Sequence, residues 1–95
     1  MRLIYRPEAL REIDDYLSVI RSDNPQAADV ASRDLEQFAK GILDLPNLGL
    51  HDPDADMFER VVPDYPLVIA YRVTNATIEI LSVFHAARDP ATRRW

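Results

Sequence analysis

Leu67-Val68-Ile69-Ala70-Tyr71-Arg72-Val73 decides how this chain folds. A nearly unbroken run of aliphatic and aromatic residues reads as a central strand. Thr77 to His85 is a further β-run, rich in Ile, Val and Phe. Met57 to Val62 reads as a strand ahead of them. The links, Pro63 to Pro66 and Thr74 to Ala76, are short, so the three strands form an antiparallel meander.

A tight turn at Asn75-Ala76 sets Arg72 opposite Glu79 and Ala70 opposite Leu81. On that register Leu67, Ile69, Tyr71, Ile78, Ile80 and Phe84 share one face. The other face carries Val68, Ala70, Arg72 and Glu79, then Leu81, Val83 and His85.

The N-terminal half supplies the cover for one face. Leu3-Ile4-Tyr5 reads as a short strand, and Pro7 suits the first position of a helix. Leu10, Ile13, Leu17 and Ile20, widened by Ala9 and Tyr16, make an amphipathic helix over residues 7–21. Asn24 reads as the N-cap of a second helix and Pro25 as its first residue. Its stripe, Ala28, Ala31, Leu35, Phe38, Ile42 and Leu45, runs to Pro46. Residues 47–56 read as a polar loop. The predicted fold is α+β, in the order β-α-α-β-β-β, with a helical hairpin on one face of a small, mainly antiparallel sheet. The opposite face is expected to stay uncovered, apolar in its middle and charged at its rim, as partner surfaces are.

Ninety-five residues fit a single domain, residues 1–95, with 86–95 as a C-terminal tail. A net charge of −5, with Lys40 the only lysine, weighs against a general nucleic-acid binder, which needs surplus cations to displace phosphate counterions. The absence of cysteine excludes disulfides, thiolate metal sites and cysteine nucleophiles, and two glycines are too few for a phosphate loop. No apolar run reaches the ~20 residues that span a bilayer, and the first residues are too charged for a signal-peptide core. The expected address is the cytoplasm.

Few residues could carry chemistry. His51-Asp52-Pro53-Asp54-Ala55-Asp56 alternates carboxylates, but Met57 and Pro63 stand where a calcium loop needs glycine and glutamate, so it reads as a solvated acidic loop. His85, with Arg60, Arg72 and Arg88 as partners, could act as an acid–base residue on a phosphodiester; the alternative is a histidine that merely ends a strand. Arg72 interrupts an apolar strand and requires a partner, for which Glu79 is placed. The tail combines Arg88, Arg93, Arg94 and Trp95, residue types that dominate interface energetics. Tyr16 and Val19 flank the first helical stripe and either widen the core face or meet a partner helix.

Five pieces of the chain, in order, resemble one family. They are Tyr5-Arg6-Pro7-Glu8-Ala9, Asn24-Pro25-Gln26-Ala27-Ala28, Leu45-Pro46-Asn47-Leu48-Gly49, the strand 67–73, and the stretch from Ile78 to Asp89. Each is weak alone, but the ordered set is similar to the RelE/ParE superfamily of toxins from type II toxin–antitoxin modules, and to its ParE branch in particular. The resemblance implies a small cytoplasmic toxin, without cofactor or metal, held inactive by a cognate antitoxin.

ParE-like members are regarded as poisons of DNA gyrase; RelE-like members cut mRNA on the ribosome, and the corresponding positions here are Arg60, His85 and Arg88. The net charge and the lone Lys40 depart from the ribosome-dependent pattern. The first expectation is therefore a non-enzymatic gyrase inhibitor that touches its target through Arg88, Arg93, Arg94 and Trp95. The antitoxin is then expected on Tyr16, Val19, Val68, Ala70, Arg72, Leu81 and Val83. Nucleic acid would be bound specifically only through the antitoxin complex, and no membrane is involved. The alternatives are an mRNA endonuclease, with His85 as acid–base residue and Arg60 or Arg72 on the phosphate, and a remnant that only binds antitoxin.

Overall fold

In the computed structural model, which describes residues 1–87, the chain runs β1 (Arg2–Tyr5), α1 (Pro7–Asp23), α2 (Pro25–Gly41), β2 (Leu50–Asp52), β3 (Met57–Val61), β4 (Leu67–Val73) and β5 (Thr77–His85). The sheet order is β1-β5-β4-β3-β2, with β1 parallel to β5 and every other pair antiparallel. The α+β order and the meander are as the sequence reads. One strand is added, because β2 forms inside the loop predicted to be irregular.

Local chemistry sets the helix ends. Pro7 and Pro25 sit at the starts of α1 and α2, and the Asn24 side chain accepts from the Ala27 N–H at 3.1 Å. Asn24 alone separates the helices, so α1 runs two residues further than its apolar stripe predicts. α2 ends at Gly41 rather than at Leu45. Beyond it the N–H groups of Leu43, Asp44 and Leu45 donate to carbonyls three residues back, a tighter winding than the α-helix. Ile42 is thereby turned into the core while Leu45 faces water.

The core on the helical side joins Ala9 and Leu17 of α1, Ala31 and Leu35 of α2, and Ile69, Tyr71, Ile78 and Ile80 of the sheet. Opposite it, Met57, Val68, Ala70, Leu81 and Phe84 form a second cluster, with Ala55 packed against them. Here the structure corrects the sequence reading: this flank is not open, since Val68 is 7% exposed and the other four less. Apolar surface left to water costs about 25 cal/mol per Å², and the chain closes the flank within itself.

The register holds Arg72 opposite Glu79 as predicted, but Ala70 faces Ser82 instead of Leu81. Leu81 is the extra residue of a β-bulge, and every side chain after it changes face. Val83 therefore joins the helix-side core and Phe84 the opposite cluster, the reverse of their predicted places. His85, paired with Leu67, likewise lies on the helical side.

Gly49 closes the turn into β2 at φ +116, where a Cβ would stand 2.6 Å from the Glu59 carbonyl oxygen and from Cγ of Arg60. Gly49→Ala is expected to lose at least about 1–3 kcal/mol of stability through backbone strain, read as a lower melting temperature. An unchanged melting temperature would show that the turn relaxes freely.

Candidate functional site

Of the residues grouped as a catalytic set, the sheet places Arg72 on the face opposite His85 and Arg60. Arg72 points away from the helices, in the row of Ile4 and Glu79, while Arg60 pairs with Ile69 on the helical side. The Arg60 guanidinium lies over the Phe38 ring, 4.9 Å from its centroid, with Nη1 buried and without a hydrogen-bond partner. It also stands beside the Tyr71 phenol. Burial raises the pKa of that phenol, and the Arg60 charge and hydrogen bond oppose the rise. The Tyr71 hydroxyl donates to the carbonyls of Leu48 and Pro46, at 2.7 and 3.0 Å. Tyr71 thus pins the 42–49 turn onto the sheet.

His85 is exposed at the end of β5, where its Nδ1 accepts from the Ala87 N–H at 3.3 Å. Arg72 reaches Glu79 at 3.9 Å, but Arg6, which sequence reasoning missed, comes closer at 3.4 Å. One carboxylate thus serves two guanidiniums, a partly exposed network of modest strength. Arg88, Arg93, Arg94 and Trp95 lie outside the described residues.

The acidic loop is a turn. Asp52 Oδ1 accepts from the N–H groups of Asp54 and Ala55 at 3.0 and 3.3 Å, and Asp56 adopts a positive φ of 51. Among the described residues no group of histidines and carboxylates is arranged to hold a metal ion, and no helix is long and apolar enough to cross a membrane.

Nor does the fold gather the residues expected to meet a partner. Val68, Ala70 and Leu81 are buried in the second cluster, Tyr16 packs on the helix-side core, and Val19 points outward, 74% exposed. The apolar opening lies on the helical side instead. A groove of about 590 Å³ runs between Leu10 and Ile13 of α1 and Leu35 and Ala39 of α2, and reaches Ile69 and Val83 of the sheet. Leu3 and Tyr5 of β1 close one side, and Ser32, Glu36 and Lys40 line it with polar groups. Burial, reinforced by Glu36, raises the Tyr5 pKa. Val83 alone of the expected contacts lines the groove, because the bulge turned it there.

The edge of β5 beyond β1 is also closed by a side chain. Glu12 of α1 accepts from the Ser82 hydroxyl at 2.9 Å and from the Val83 N–H at 3.1 Å, taking the place of a strand partner. On the far side of α2 a second hollow holds Tyr65, whose hydroxyl donates to Asp34 at 2.7 Å. That hydrogen bond is the main cause of a phenol pKa pushed up to about 12.

Comparison with known proteins agrees with this geometry. No curated protein matches the sequence. Among solved structures, a chain titled "Chromosomal ParDE TA system from P. aeruginosa" superposes with a TM-score of 0.78 at 19% identity, over 90% of this chain and 95% of that one. The likeness extends to the fold. The family model for the ParE toxin of the type II toxin–antitoxin system, parDE, matches residues 3–90, nearly the whole chain, and this protein belongs to that family.

Proposed function

We propose that this chain is a cytoplasmic toxin that disables DNA gyrase by binding it, without catalysing a reaction, and that a cognate antitoxin neutralises it from the groove between α1 and α2. The observation that carries the non-enzymatic reading is the split constellation. Arg72 stands across the sheet from His85, and the guanidinium of Arg60, on the same side as His85, is held over the Phe38 ring. An acid–base residue and its phosphate-holding cations must converge within hydrogen-bond reach of one reacting group. A net charge of −5 further disfavours docking on RNA, while a protein target sets no such demand.

For the antitoxin, the groove has the form that an amphipathic helix fills, apolar within and polar at the sides. The outer edge of β1 beside it, which pairs with no strand among the described residues, offers backbone groups to a segment continuing from that helix.

Expression without the antitoxin tests the target. DNA-damage signalling and filamentous cells are expected; immediate arrest of translation with cut transcripts would instead indicate the nuclease. His85→Ala is expected to leave toxicity within about twofold of the parent, since no reacting group depends on the imidazole. A folded, antitoxin-bound His85→Ala protein that has lost all toxicity would overturn the non-enzymatic reading.

A further inference from the structure

The sheet ends in β2, whose outer edge pairs with no strand among the described residues and whose three residues are all exposed. Such an edge presents backbone N–H and C=O groups to any extended chain that fits beside it. On the face away from the helices, Leu50 and Val61 stand 73% and 66% exposed, with Glu59 placed opposite Leu50 and two residues before Val61. On the other face His51 stacks on Phe58 at 4.5 Å. Residues 50–58 carry Asp52, Asp54 and Asp56 and no arginine or lysine. The margin is therefore both aliphatic and anionic.

We infer that the β2–β3 margin receives an extended, cationic segment of a protein partner, added as a strand alongside β2. Side chains of the added strand would stand beside Leu50 and Asp52 on one face and beside His51 on the other. The matching pattern is an aliphatic residue next to Leu50 and a lysine or arginine next to Asp52. Pro53 follows β2 directly and cannot extend the ladder, so backbone pairing is short and charge selects the occupant. An acidic segment is repelled. This margin lies at the opposite end of the sheet from β1, so it stays accessible while the groove is filled. That the segment belongs to the protein the toxin disables rests on the function proposed above; the chemistry of the surface does not.

The test titrates the isotope-labelled full chain with a synthetic hexapeptide alternating isoleucine and lysine, and with its counterpart carrying glutamate for lysine. The lysine peptide is expected to shift the amide signals of residues 50–52 and 59–61. Its affinity should fall at least about tenfold between low and roughly 0.3 M salt, as exposed charges are screened. Leu50→Lys with Val61→Lys, both at exposed positions, should keep a dispersed spectrum and antitoxin binding while losing the peptide and toxicity. Equal binding of both peptides, shifts confined to β1 and the groove, or full toxicity in that double variant would each overturn the inference. A parent chain that leaves gyrase active would sink the proposed target, while the peptide titration would still decide the surface.

Discussion

Ile80→Ala is expected to remove about 2–5 kcal/mol of folding stability, the cost of a large-to-small change in a packed core. Ile80 is fully buried at the crossing of the fold: it pairs with Tyr5 on one side and Tyr71 on the other, directly before the bulge. Its carbonyl also accepts from the Arg6 N–H at 2.9 Å, the bond that leads the chain from β1 into α1. A domain of this size holds about 5–15 kcal/mol in total, so one methylene-rich side chain carries a large share. The melting temperature should fall on the order of 10–30 °C. Denaturant unfolding gives the direct reading, and a loss below about 1 kcal/mol would place the centre of the core elsewhere.

Leu10→Asp is expected to free the toxin from its antitoxin. Leu10 lines the groove yet is about half exposed, so the fold tolerates a carboxylate there. An antitoxin helix seated in the groove would have to bury that charge beside Ile13 and Leu35, while Lys40, the cation in the groove lining, is already paired with Glu36 at 2.9 Å. Losing a central apolar contact of this kind costs about 2–4 kcal/mol, or roughly 30- to 1000-fold in affinity. Cells that tolerate the parent toxin with its antitoxin should stop growing when the variant replaces it. Unchanged affinity for the antitoxin would remove the groove from the account.

Most of the architecture is legible in the sequence because it rests on periodicity. The stripe Leu10, Ile13, Leu17 and Ile20 and the run 67–73 state their elements directly, and two X-Pro steps fix where the helices begin. What stayed hidden depends on single residues whose effect is set by tertiary context. Leu81 bulges just before Ser82 and Val83 bond Glu12 of α1, and nothing in Ile-Glu-Ile-Leu-Ser-Val-Phe marks that slip. Its consequence is large, since it carries Val83 into the helical side and His85 away from Arg72.

β2 was concealed because three residues between Gly49 and Pro53 have no visible period. α2 ends at Gly41 and the winding tightens beyond it, although the apolar spacing continues to Leu45. The closure of the second flank is hidden for a related reason. Alternation identifies two faces of a sheet but not which is closed, and the cluster around Ala70 is sealed. The groove depends on how far α1 and α2 diverge, and Ala9, Ala28 and Ala31 do not encode that distance on their own.

The most direct test of the central claim is a supercoiling assay with purified gyrase, the purified chain, and its antitoxin. The account predicts that the toxin blocks supercoiling, that His85→Ala blocks it equally, and that antitoxin restores it for the parent but far less for Leu10→Asp. Gyrase that supercoils normally at saturating toxin, while the same preparation cuts messenger RNA on ribosomes, would contradict it.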